Sequence, residues 1–314
     1  MNTRALLMES FDDEAHIGTR PLPPLGGDGV LIRIHAASVN AFDWKVVEGR
    51  FKDMFEYDFP VTIGRDYAGV VEEVGADVKR VSPGDAVVGY TTGQKLGQGS
   101  YAERIAVTED ACFVAKAEGL SFLDAACLPL CGMVAYRCVD AVDPKPGETH
   151  FVLGAPGGAG SYAVQLLAGR GATVVASGLP EDEDYLRDLG ASEVVGYRDG
   201  VDYAGPVDGL IDLVQYKDAF TELARRLLRP GGRAASLHRA TDPELLDPIG
   251  VTGTNVHSGP DRELLARIAA DATSGSLRVP LRRVFPFEEA PQALAVLRDE
   301  HARGKIALSV VEPE

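Results

Sequence analysis

Leu153-Gly154-Ala155-Pro156-Gly157-Gly158-Ala159-Gly160 is the stretch on which the reading of this chain turns. The run His150-Phe151-Val152-Leu153 leads into it as a strand, and residues 161–170 leave it as a helix. A glycine loop between strand and helix lets backbone amides at a helix N-terminus face phosphate charge. Read as AxGxxG, the loop has Ala155 where the usual GxGxxG has its first glycine. Gly157 would let the backbone approach a pyrophosphate, and Gly160 would let the helix pack on the strand. Ala155, Pro156, Gly157, Gly158, Ala159 and Gly160 are therefore the candidate cofactor-binding residues.

The loop opens a longer rhythm. Strands are expected at 172–176, 193–195, 209–214 and 233–237. Helices end at Leu189-Gly190-Ala191 and run over 219–228, with Pro230-Gly231-Gly232 as a stop. Strands alternating with helices argue a doubly wound parallel sheet. Upstream, 121–139 is expected as one helix, Ser121 capping it with Asp124 three residues on. The first third differs: strands at 30–34, 69–74 and 85–90 are separated by Gly26-Gly27, Pro83-Gly84 and the glycine-rich segment 93–99. That is the pattern of a barrel-like β domain. After about residue 253 come a helix (262–274), an extended segment (279–284), a helix (288–300) and a last strand (307–311). The expected division is a β-rich domain over 1–118, a dinucleotide-binding domain over 119–252, and a return to the first domain over 253–314.

Composition narrows the function. The 314 residues are 45% hydrophobic and 25% charged, enough for a core without disulfides or metals. A balance of 47 acidic to 31 basic residues gives −16, which argues against a nucleic-acid partner. The N-terminus does not read as a signal peptide and no run suits a bilayer, so a cytoplasmic protein without membrane contact is expected. Cys112, Cys127, Cys131 and Cys138 lack paired CxxC spacing and read as core residues; the six histidines are scattered singly.

These pieces come together in a resemblance. Ala36-Ala37-Ser38-Val39-Asn40-Ala41-Phe42-Asp43-Trp44-Lys45 resembles the VNPxDWK signature of quinone oxidoreductases and alkenal or enone reductases of the medium-chain dehydrogenase/reductase superfamily. The likeness continues through Gly64-Arg65-Asp66-Tyr67-Ala68-Gly69-Val70-Val71, Pro83-Gly84-Asp85-Ala86-Val87 and Gly99-Ser100-Tyr101-Ala102-Glu103. It then takes in the glycine loop and the terminal Gly304-Lys305-Ile306. It implies an α/β protein: a GroES-like β-rich catalytic domain built from both chain ends, with a Rossmann doubly wound parallel sheet between them.

It also implies NADPH as hydride donor, with Ser177 and Tyr197 where contacts to a 2′-phosphate are often found. The basic residue that commonly follows Ser177 is missing, so NADH stays open. The acidic run Glu181-Asp182-Glu183-Asp184 reads as a solvated first helical turn. Zinc-dependent alcohol dehydrogenases share the fold, but Asn40 and Arg65 stand where they carry a cysteine and a histidine ligand. Neither side chain replaces those ligands, so no metal is expected. Without a Lewis acid the acceptor must already be electrophilic, a small quinone or α,β-unsaturated carbonyl. Asn40 and Lys45 are the candidate catalytic residues, as donors to the developing oxygen charge and for nicotinamide positioning, against a turn-stabilising Asn and a solvent-exposed Lys; Asp43 orders the loop, and Tyr57 and Tyr67 are pocket-wall or core residues. Val47 and Val134 depart from the family's usual Arg and Thr, and the linker 198–206 is short. Two rival readings remain: an enoyl or polyketide reductase of a dedicated biosynthetic pathway, and a non-catalytic dinucleotide-binding redox sensor. A homodimer is left open.

Overall fold

The computed structural model describes residues 1–91, 93, 95–197 and 200–311. The chain divides into two compact units: Met1–Leu130 with Gly259–Ser274 and Leu281–Glu314, and Cys131–Ser258 with Gly275–Pro280. The first residues of the short linker, Arg198 and Asp199, lie outside the described residues.

The first unit is built on a mixed sheet whose central strand, Gly29–Val39, is buried at nearly every position. It pairs antiparallel with Asp66–Val74 on one side and with the late strand Lys305–Ser309 on the other. Both chain ends thus contribute to one core. Register does the rest: Ile306 lies opposite Val39, which sets Lys305 across from Asn40, while Ser38 lies opposite Asp66. Polar residues far apart in sequence therefore meet at one end of three adjacent strands.

The second unit carries an all-parallel six-stranded sheet: Glu193–Val195, Thr173–Ser177, Thr149–Leu153, Val207–Asp212, Leu228–Ser236 and Thr252–Asn255. In chain order this is 3-2-1-4-5-6, the doubly wound arrangement the sequence implies. Val207–Asp212 is buried throughout, as expected of a strand covered on both faces.

Three local expectations are corrected. Residues 121–139 do not form one helix: Phe122–Ala126 ends, and Pro129–Val142 begins anew at proline. Proline lacks the amide that would continue the first helix and disfavours helical geometry at Leu128, yet fits a first turn. The expected cap holds, with Ser121 Oγ accepting from the Asp124 amide at 3.0 Å. The helix before Pro230-Gly231-Gly232 ends at Leu227 as expected, but the strand expected from 233 begins at Leu228 and takes in these residues as an irregularity, where the register against Val207 and Gly209 shifts. In the acidic run, Asp182 is buried and caps the turn, its carboxylate accepting from the Leu179 amide at 2.8 Å. Among the described residues no helix is long and apolar enough to cross a membrane.

Candidate active site

In the second unit the glycine loop follows Thr149–Leu153 and opens the helix Gly158–Gly169, with Gly157 as N-cap. The helix starts three residues earlier than expected, at the loop itself. Gly157 and the first residues of the helix are partly exposed, and the first-turn amides of Gly158 and Ala159 have no partner within the helix. Gly160 is the close-approach glycine: a Cβ there would collide with the Gly154 carbonyl and the Ala155 backbone. At Gly157 the nearest atom to an added Cβ is the Gly154 carbonyl at 3.4 Å, so the space above it is free. Ala155 and Pro156 are buried and support the turn. The Gly157 amide donates within the loop to the Gly154 carbonyl at 3.2 Å, and the cradle fits a dinucleotide pyrophosphate at the Gly158 and Ala159 amides of the positive helix end.

Ser177, expected at a phosphate contact, is bound to the loop itself. It is 1% exposed, and its Oγ accepts the Gly154 amide at 3.0 Å, tying the end of the second strand to the loop. Tyr197 lines a cavity with Leu179, Asp202 and Arg226, just beyond the end of that strand. Arg226 comes from the helix Lys217–Leu227, some fifty residues downstream of Ser177, where no local motif announces it.

In the first unit the VNPxDWK-like segment is the end of Gly29–Val39 and the short helix Ala41–Val47. Asn40, Asp43, Asp66, Tyr101, Ser38 and Lys305 are all buried. The Lys305 ammonium donates to Asn40 Oδ1 at 2.6 Å and to the Val39 carbonyl at 3.1 Å, and lies 3.9 Å from Asp66. Asn40 Nδ2 donates to Asp66 Oδ2 at 3.0 Å, and Ser38 Oγ to the same oxygen at 2.9 Å. Asp43 Oδ2 accepts from the Asn40 amide and the Tyr101 hydroxyl, each at 2.8 Å. The Asn40 side-chain amide, expected as a donor to substrate or nicotinamide, has both ends engaged inside this buried network. Asp43 orders the loop as expected.

The network holds two carboxyl groups and one ammonium out of water. Burial, then the neighbouring Asp66, pushes the Asp43 carboxyl up to about 7. Burial raises Asp66 also, against the pull of Lys305. Lys45 stands outside this network, over the Trp44 ring; partial burial and Arg50 lower its pKa. The structure therefore does not bring Lys45 and Asn40 together as a pair of donors. Tyr67 is wholly buried core, and Tyr57 stacks with Phe59 and edges Phe11.

Arg65, for which the sequence suggested no role beyond displacing a zinc ligand, is 7% exposed. Its guanidinium lies 3.8 Å over the Phe42 ring, with Phe55 and Tyr90 also nearby, and donates to the Thr91 carbonyl at 3.1 Å. Gly64 before it has φ +100°, and a side chain there would strike the Tyr101 ring. The four cysteines are buried and form no disulfide, and the described residues contain no cluster of three or more His, Cys, Asp or Glu able to hold a metal.

Comparison with known proteins supplies the lineage. The family described as alcohol dehydrogenase GroES-like domain matches residues 26–117, and that described as zinc-binding dehydrogenase matches 189–308. The mouse mitochondrial NAD(P)H oxidoreductase RTN4IP1 is 31% identical, covering 90% of this chain and 82% of its own. The chain belongs to the medium-chain dehydrogenase/reductase superfamily. As an oxidoreductase of that superfamily it is also similar to the 2-methylene-furan-3-one reductase of Solanum lycopersicum, at 30% identity over 91% of this chain and 73% of that one. Among solved structures, the quinone oxidoreductase of Coxiella burnetii superposes with a TM-score of 0.89 at 27% identity, over 99% of this chain and 100% of the other.

Proposed function

We propose that this reductase moves a hydride from a reduced nicotinamide dinucleotide to a small conjugated carbonyl, a quinone or enone, without zinc. The observation that carries the reading is the glycine cradle: the Gly158 and Ala159 amides at the partly exposed start of a helix, with Gly160 closing it onto the strand. The likeness to NAD(P)H, quinone and furanone reductases supports the same chemistry. When bound, the dinucleotide supplies the hydride. The chain's own residues hold it by its phosphates and leave the acceptor to take charge on oxygen as hydride arrives at carbon. Lys45 remains a candidate donor to that oxygen.

The donor set supports a metal-free reaction. One zinc-ligand position of the related alcohol dehydrogenases is Asn40, locked to Lys305 and Asp66; another is Arg65, a permanent cation. The cavity shared by Tyr197 and Arg226 favours NADPH over NADH, because Arg226 supplies from another helix the basic group missing after Ser177. Steady-state oxidation of NADPH and NADH against a panel of quinones and enones, with zinc quantified and chelator present, tests all three parts. Turnover with NADPH preferred and zinc substoichiometric is expected. Tight cofactor binding with no acceptor reduced would favour the redox sensor. Stoichiometric zinc whose removal stops turnover would return the protein to alcohol dehydrogenase chemistry.

A further inference from the structure

Beside the sealed network of the first unit lies a cavity of about 30 Å3, lined by Phe42, Asp43, Val61, Arg65 and Thr91 among others. That volume admits one or two water-sized groups and excludes a ring. Two of its walls carry buried polar atoms that find no partner among the described residues: Arg65 Nε and Asp43 Oδ1. Arg65 is 7% exposed and Asp43 1%. Buried polar groups left unsatisfied are costly, and two around one hollow mark the place of a missing polar guest.

The chemistry of the walls selects that guest. Arg65 brings a donor that never loses its charge, on a planar group held by the faces of Phe42, Phe55 and Tyr90. The other carboxylate oxygen, Asp43 Oδ2, is fully used by the Asn40 amide and Tyr101, so a proton on Asp43 belongs on Oδ1, at the cavity. Burial favours that protonated form. The hollow then offers two donors and asks for an oxygen acceptor, better still one that gains negative charge.

We propose that this cavity takes the oxygen of the substrate, and that Arg65 is the catalytic residue that recognises the phenolate or enolate oxygen formed by hydride addition. The inference rests on the hydride-transfer reading and sharpens it. A C–H bond forms at the conjugated carbon, the carbonyl π pair moves onto oxygen, and the nicotinamide dinucleotide is oxidised. The oxygen anion is held by Arg65 and takes its proton from Asp43 Oδ1, which regains one from water.

A probe that cannot turn over separates this claim from the redox reading. 4-Nitrophenol, added to the full chain with no reduced cofactor, reports its own ionisation by absorbance. The phenolate should bind, with the phenol's pKa lowered by about one unit, a tenfold preference for the anion. Arg65→Met should abolish the shift and Arg65→Lys should restore part of it, each checked for an intact fold by thermal unfolding. If Arg65→Met does not fold, the unmodified protein still decides: 4-nitrophenol should bind at least about tenfold tighter than 4-nitroanisole, which cannot ionise. Equal binding of the two, an unshifted phenol in wild type, or an unchanged shift in a folded Arg65→Met would each overturn the proposal and leave the cavity to water. Phenolate binding that depends on Arg65 upholds it, even should no quinone or enone be reduced.

Discussion

The glycine loop of the second unit and the charged network of the first handle charge in opposite ways. The loop is local: within residues 153–160 the Gly158 and Ala159 amides have no partner within the helix, and no ionisable side chain takes part. The network is distant in sequence, joining residues 38, 40, 43, 66, 101 and 305, and it turns its charges inward. One region keeps polar groups unsatisfied so that a ligand can satisfy them. The other satisfies nearly all of them internally and leaves only Asp43 Oδ1 over. The comparison teaches that the same signature, VNPxDWK, can hold its asparagine for architecture while a neighbouring side chain, Arg65, meets the cavity.

The network's architectural role can be broken first at its single ammonium. Lys305→Met leaves the Asn40 carbonyl oxygen and two buried carboxyl groups without their cation. Loss of one partner from a buried charge pair costs about 3 kcal/mol or more. Asn40→Ala should also lower stability, rather than touch the rate alone. Denaturant unfolding that places Lys305→Met within 1 kcal/mol of wild type (roughly a surface-substitution effect) would show the network to be incidental.

A smaller effect sharpens the same point. Asp43 titrates at about 7 in the fold against 3.8 unperturbed, so the folded state holds its proton across that window. Its contribution to stability is complete below about pH 4 and is lost as pH rises towards 7, by at most about 1.4 kcal/mol per pH unit. Asp43→Asn keeps an oxygen for the Asn40 amide and Tyr101. The variant should therefore gain stability relative to wild type as pH rises from 4 to 7. A pH-independent difference between the two would mean that Asp43 is ionised throughout.

The smallest structural effect belongs to Lys45, half-buried over Trp44. Lys45→Met should change unfolding free energy by less than about 0.5 kcal/mol. If Lys45 donates to the substrate oxygen, the maximal rate falls by about a hundredfold; if it only anchors cofactor, the Michaelis constant rises instead.

Much of this molecule was legible in its sequence because much of it is local. The loop, its flanking strand and the alternation after it were readable from spacing, and so was the Ser121 cap. Pro129 was equally visible, yet the apolar run around it hid the helix break. What escaped was set by register. Gly304-Lys305-Ile306 and Gly64-Arg65-Asp66 stood out as motifs, but only strand pairing places Lys305 against Asn40 and Ser38 against Asp66. The bond from the Gly154 amide to Ser177 was not legible, because a serine at a strand end looks the same in sequence whichever group it meets. Arg226 reaches its cavity from another helix and left no local trace.

Dinucleotide binding by backbone amides is tested most directly at Gly157. Gly157 has ordinary φ of −69° and free space at its Cβ, so Gly157→Asp introduces a carboxylate without backbone strain. Titration of NADPH into wild type and Gly157→Asp, followed by nicotinamide fluorescence, should give saturable binding in the first. The variant should lose at least about a hundredfold in affinity, as a carboxylate replaces open space beside the pyrophosphate, with thermal unfolding unchanged. Equal affinity in a folded variant would contradict the account, because the phosphates would then be held somewhere other than this loop.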